Sequence, residues 1–217
     1  MDFDAFAAAL RDGLEKERAL RWDEAATLYA DLVRKAPDPA SRALALLRHG
    51  NALMELRRWD DARTAFDAGL HEAKASGDAD VLAQALLAAG VFAASRADSK
   101  RGEAFLLDAL ERFHRKDDRT SLQGRGWAFL NLAALYGQTG RLDLAFVTFT
   151  KAQDVLGATE DWAGVAAAWE AQAQLRRAIH DDDRWREDLA EAVLFYDREG
   201  MKAKADRLRG LLGRKRV

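Results

Sequence analysis

Residues Phe129–Gln153 read FLNLAALYGQTGRLDLAFVTFTKAQ. Here Ala133 and Ala145 stand 12 positions apart, Phe149 follows four residues later, and Ala152 three beyond that. Apolar residues recur at helical spacing on both sides of Thr139-Gly140, so the stretch predicts two helices folded against each other at a tight turn. The same spacing of 12 joins Gly13 to Ala25, Gly50 to Ala62, Gly90 to Gly102 and Ala173 to Trp185. Tyr29, Phe66, Leu106 and Leu189 then hold the place of Phe149, and Leu32, Gly69, Ala109 and Ala192 that of Ala152. Successive repeats lie 37 to 43 residues apart, while the internal 12 is constant. A constant inside a variable spacing marks a rigid unit joined by adjustable loops. The unit predicted is a helical hairpin whose small residues let its helices approach closely. The bulky residue is expected to fill the gap toward the next hairpin.

The chain of 217 residues is 49% hydrophobic and 32% charged, the balance of a folded protein rather than a disordered one. Its only prolines, Pro37 and Pro39, share one linker, and no segment alternates as a strand would. Asp38 and Pro39 form a helix start. Breaks at Ser76-Gly77-Asp78, residues 115–120 and residues 157–161 divide the other repeats, with Thr159 read as a helix cap. Breaks at Arg57-Arg58, Ala97-Asp98-Ser99, Thr139-Gly140 and residues 181–183 turn the hairpins. The expected architecture is all-α: one domain over 1–217, a right-handed superhelical stack of five hairpins (about 3–36, 39–75, 79–115, 121–157 and 160–198), and a capping helix at 201–212.

These columns resemble the tetratricopeptide repeat. Phe129, Leu132, Ala133, Tyr136, Gly140, Leu142, Ala145, Phe149 and Ala152 occupy its signature positions, and Leu46, Gly50, Leu53, Trp59, Ala62 and Phe66 follow them in the second repeat. Trp22 and Trp59 share one aromatic column. The mean period of about 40 exceeds the usual 34 and is closer to the longer variants of kinesin light chains and bacterial peptide-sensing regulators. The third and fifth repeats depart from the pattern, with Gly102 and the bulky Trp185 in the alanine column. A helical stack of another repeat family is the alternative.

The resemblance implies a concave groove lined by the first helix of each hairpin, where such proteins hold peptides. The candidate groove residues are Arg48, Asn51 and Glu55, then Gln84, Leu87 and Val91, then Trp127, Asn131 and Gln138, and finally Glu170 and Gln174. Asn131 stands where the kinesin light chain type carries an asparagine that holds a peptide backbone, and an amide can donate to and accept from a bare peptide group. Of the basic clamp some members use for a terminal carboxylate only the middle Asn131 has a match, since Leu87, Val91, Ala167 and Ala171 occupy the flanking positions, so no such clamp is expected. The apolar third repeat favours a partner with hydrophobic anchors.

Other chemistry finds little footing. Without cysteine there is no disulfide or thiol site. His49, His71, His114 and His180 include no i, i+4 pair, and His180-Asp181-Asp182-Asp183 reads as a polar turn, so no metal or cofactor is expected. Gly124-Arg125-Gly126 lacks the remainder of a dinucleotide loop, and no nucleophile elbow or phosphate loop occurs. We therefore expect no enzyme. The acidic N-terminus is unlike a secretory signal, and the longest uncharged stretches, Val81–Ser95 and Gly126–Gly140, are 15 residues each, too short to span a bilayer. The expectation is a cytoplasmic adaptor binding a protein or peptide, away from membranes. The C-terminal Lys202, Lys204, Arg207, Arg209, Arg214, Lys215 and Arg216 face one acid, Asp206. With no aromatic interleaved to stack bases, they read as a solvated cap rather than a nucleic-acid site. The rival reading is a structural protein that self-associates as a homo-oligomer, with Trp162, Trp169 and Trp185 near the contact surface.

Overall fold

The computed structural model describes residues 1–213, all helices and connections with no strand among them. The helices are α1 (Phe3–Arg18), α2 (Trp22–Lys35), α3 (Pro39–Glu55), α4 (Trp59–Ser76), α5 (Ala79–Ser95), α6 (Ser99–Phe113), α7 (Arg119–Gln138), α8 (Leu142–Ala158), α9 (Trp162–Ala178), α10 (Asp182–Arg198) and α11 (Lys202–Leu212). They fall into two compact units, Met1–Arg112 and Phe113–Val217. In the first, α1 packs on α2, α3 on α4, and the first helices also touch, α1 to α3 and α3 to α5. In the second, α7 packs on α8, α9 on α10 and α10 on α11, while α7 meets α9. The result is the expected helical-repeat fold.

One turn geometry recurs throughout. Leu20, Arg57, Ala97, Gly140 and His180 all adopt left-handed backbone, with φ between 58° and 77°. Each lies seven residues after the small residue that opens its repeat. The amide after each reaches back to the carbonyl five residues earlier, as in Arg58 to Leu53 at 2.9 Å and Arg141 to Tyr136 at 2.8 Å. This satisfies carbonyls that the helix end would otherwise leave bare. The same turn at Glu160 and Gly200 joins α8 to α9 and α10 to α11. Only Gly140 among the five hairpin turns is glycine, so sequence alone gave little sign of the geometry.

The small-to-bulky pattern has a different cause from the one expected. Tyr29, Phe66 and Leu106 lie on the small residue of their own hairpin. A Cβ added to Gly50 would stand 2.8 Å from the Phe66 ring, one on Gly90 would stand 2.8 Å from Leu106, and one on Gly13 would meet the Tyr29 ring. Contact with the next hairpin comes second, as where the Phe66 and Phe92 rings lie 5.3 Å apart. Close backbone approach holds at α5 and α6, where a Cβ on Gly102 would be 3.1 Å from the Ala94 nitrogen.

Helix starts follow the sequence with one correction. Asp38, Asp78 and Asp118 cap α3, α5 and α7 through their carboxylates. At α9 the cap is Asp161, which accepts from the Gly164 amide at 2.9 Å. Thr159 instead closes α8, its buried hydroxyl donating to the Leu156 carbonyl. Its β-branched side chain satisfies the outgoing helix, whereas Asp161 stands where the incoming amides converge.

The three tryptophans that the rival reading sets near a contact surface are partly buried in the local core. Trp169 and Trp185 pack with Tyr196 and Leu208, while Trp162 and Trp169 pack with Leu156 and Val165. Trp162 stacks on Phe195 at 5.7 Å, with the Arg198 guanidinium 3.8 Å from its ring centre. Trp185, in the alanine column, is partly buried, with the Arg177 and Arg186 guanidiniums 5.2 and 5.4 Å from its ring centre. Arg207 and Arg209 of α11 are likewise not simply solvated: Arg207 pairs with Glu170, and Arg209 with Asp197 and Asp206. Arg214, Lys215 and Arg216 lie outside the described residues.

Two helical glycines test this packing in opposite directions. Gly13→Ala gains about 1 kcal/mol of helix propensity but drives a methyl into the sealed Tyr29 ring, so it should destabilise by a net 1–2 kcal/mol, on the order of overpacking penalties. Gly210→Ala in α11 meets nothing within 4 Å and should stabilise by up to about 1 kcal/mol. Urea unfolding of both variants measures the difference.

Candidate functional site

Counting from the small residue of each repeat separates the candidates by environment. Positions −6, −2, +1 and +5 form a partly exposed stripe along each first helix, and position −3 is a packing column. In the first unit the α3 stripe carries Leu44, Arg48, Asn51 and Glu55, and that on α5 carries Gln84, Ala88, Val91 and Ser95. The Asn51 side chain makes no hydrogen bond among the described residues. Leu87 belongs to the packing column with Leu47, whose methyl lies 2.9 Å from where a Cβ on Gly69 would stand. The α5 stripe carries no charge, with Ala88 and Val91 apolar between Gln84 and Ser95.

In the second unit Trp127, Asn131 and Gln138 share one stripe of α7, and α9 offers Ala167, Ala171 and Gln174. Asn131 turns one amide N–H onto the Trp127 carbonyl of its own helix at 2.8 Å, which leaves its side-chain oxygen free among the described residues. The Trp127 indole donates to Asp161 at 2.9 Å, so the carboxylate that caps α9 also ties α7 to it. Glu170 lies in the packing column beside α10 and α11. It accepts from the Tyr196 hydroxyl at 2.9 Å and from Arg207 at 2.7 Å, with the Gln174 amide 3.4 Å away. Trp127 and Glu170 therefore join helices, whereas Asn131, Gln138 and Gln174 present polar atoms at the surface.

The first unit holds a looser relative of that arrangement. Glu17 of α1 accepts from the Tyr29 hydroxyl at 2.6 Å, and Arg48 approaches its other oxygen at 3.5 Å. Burial first, and the neighbouring carboxylate second for Tyr29, pushes both phenols well above their usual range; at Tyr196 the carboxylate is Glu170. Both stay protonated and donate. His49, beside Arg48 on α3, is held below the usual imidazole value by burial and then by the charge of Arg58, with Asp61 opposing.

The groove residues expected from the sequence include none on α1. Arg11 and Leu14 of the first repeat stand in the columns of Arg48 and Asn51, 37 residues earlier. The repeat spacing could have found them. Arg11 is exposed and has no ion-pair partner among the described residues. Among the described residues no helix is long and apolar enough to cross a membrane, and no group of three or more His, Asp or Glu could hold a metal ion.

The sequence matches no protein-family model and no curated protein. Solved structures do match. One is PlcR of Bacillus thuringiensis, in complex with the peptide PapR7 and DNA, at 14% identity and a TM-score of 0.76 over 95% of this chain and 75% of that one. Another is BtubC (BKLC) of P. vanneervenii, at 17% identity and a TM-score of 0.59 over 94% of this chain and 80% of that one. The chain shares their all-helical repeat fold.

Two measurements check the electrostatics. Because the folded pKa of His49 is depressed, the unfolded chain binds the extra proton first as pH falls through about 6.5. Stability should therefore drop below that pH, and His49→Gln should flatten the profile between pH 7 and 5 in denaturant titrations. A double-mutant cycle on Trp127→Phe and Asp161→Asn should return a coupling of about 1–2 kcal/mol, the scale of a charge-assisted hydrogen bond.

Proposed function

We propose that the protein is a non-enzymatic binding scaffold whose first-helix stripes hold a segment of a partner protein. The observation that carries this reading is the juxtaposition, on the adjacent helices α3 and α5, of the uncommitted Asn51 amide with the charge-free Ala88 and Val91 surface. An amide can pair with a backbone peptide group, and an apolar neighbour can take a side-chain anchor. In the second unit the free oxygen of Asn131, beside the alanines of α9, offers the same pairing. The fold shared with PlcR, whose structure holds a peptide, supports the reading. Glu170 from the packing column and Trp127 from within the stripe serve it by fixing helix positions. A peptide or protein rather than nucleic acid is the favoured partner, since Arg207 and Arg209 of α11 are engaged with carboxylates.

Binding of peptides selected against the intact protein tests this. Val91→Glu puts a charge on the apolar stripe and should weaken binding about tenfold or more, Asn51→Ala about threefold to tenfold, at roughly 0.5–1.5 kcal/mol for a lost hydrogen bond. Val147→Glu, on the exposed face of α8, should leave affinity unchanged. Loss confined to Val147→Glu would contradict the proposal.

A further inference from the structure

We infer that Arg11 and Arg48 form an acidic-residue subsite on the first-helix surface of the first unit, so that the bound segment carries an Asp or Glu side chain beside apolar anchors. The inference rests on the proposed role of that surface. The two arginines occupy the same column of neighbouring helices, α1 and α3, which are in contact. Arg11 is exposed without an ion-pair partner among the described residues. Arg48 has one, Glu17, at 3.5 Å, but that carboxylate already takes the Tyr29 hydroxyl at 2.6 Å.

The second unit supplies an internal comparison. There Arg207 meets Glu170 at 2.7 Å, a close pair whose carboxylate also receives Tyr196. At Glu17 the tyrosine bond is the short one at 2.6 Å, and the arginine contact is the long one at 3.5 Å. Glu17 thus orients Arg48 without saturating it. A guanidinium has five donors in a fixed fork, so Arg48 can keep its contact with Glu17 and still present N–H groups to a second carboxylate. Arg11 adds a second positive charge on the same face.

The surroundings define the rest of the ligand. Leu14 and Asn51 share the next column, and α5 continues the surface with Val91 and no charged residue from Val81 to Ser95. Glu55 lies seven residues beyond Arg48, about 10 Å along the helix, and places the opposite charge at the end of the α3 stripe. A segment with a carboxylate at α1 and α3 and apolar residues toward α5 matches this layout. A fully charged polyanion does not, because it would meet Glu55 and an apolar wall.

Selection from a library of random peptides, displayed by their C-termini so that no free terminal carboxylate is offered, tests the inference on the full chain. Enriched sequences should share an Asp or Glu near apolar residues. Synthetic amidated versions should lose about tenfold in affinity to Arg11→Gln/Arg48→Gln, and should weaken between low and high salt. A Tm matched to wild type shows that the variant is folded, and Arg48→Lys should recover part of the loss, since charge survives but the fork does not. Acid-free enriched sequences, or peptides indifferent to the double variant yet lost on Val91→Glu, would overturn the subsite and leave the binding surface standing. Enriched peptides indifferent to Val91→Glu as well would overturn both readings. Arginine-dependent binding of a single-stranded oligonucleotide in preference to every peptide would overturn the subsite in favour of a nucleic acid.

Discussion

Everything in this structure depends on a bulky side chain lying on a bare patch of the helix across the hairpin. Tyr29 covers Gly13, Phe66 covers Gly50 and Leu106 covers Gly90. An isolated helix of 14 to 18 residues is marginal in water and needs a buried face. The glycine supplies that face without a side chain in the way, and the ring seals it. Tyr29, Phe66, Leu106 and Phe149 are among the largest fully buried side chains, so this contact removes much of the apolar surface of these hairpins from water.

That contact also fixes the turns and therefore the surface. With 12 residues allowed between the paired positions, the chain must reverse within about three residues. It does so by one left-handed residue seven positions after the small one, at Leu20, Arg57, Ala97 and His180 despite their side chains. Tertiary packing outweighs the local preference, which disfavours such residues by about 1 kcal/mol each. Once the bulky side chains point inward, the stripe at −6, −2, +1 and +5 on each first helix is left uncovered. Charge is handled locally, through Glu170 with Tyr196 and Arg207 and through Asp161 with Trp127, so the stripe residues are held by a rigid backing.

The helical hairpins were legible because the spacing of 12 is written in residue size, which sequence displays directly. Asp38 was legible as a helix start because Pro39 follows it, whereas Asp78 and Asp118 were legible only as parts of breaks. The role of Thr159 was misread because a threonine can serve either end of a helix, and only the position of the Gly164 amide decides for Asp161. The surface was harder. Leu87 and Glu170 fall in the packing column, one position from the stripe, and a one-residue difference is a rotation of about 100° that composition does not register. Arg11 was readable from the repeat spacing, yet it lies in a repeat whose own motif is faint. The bonds from Asn131 to Trp127 and from Glu17 to Tyr29 depend on side-chain rotamers, which no spacing encodes.

Site-specific photo-crosslinking in the living cell tests the central claim, that the first-helix stripes are the binding surface, most directly. A photoreactive residue would be placed in turn at Asn51, Val91 and Ala134 on the stripes and at Arg63, Val147 and Leu194 on the exposed faces of second helices. The account predicts protein adducts from the first three positions and none from the others. Adducts arising only from Arg63, Val147 or Leu194 would contradict it.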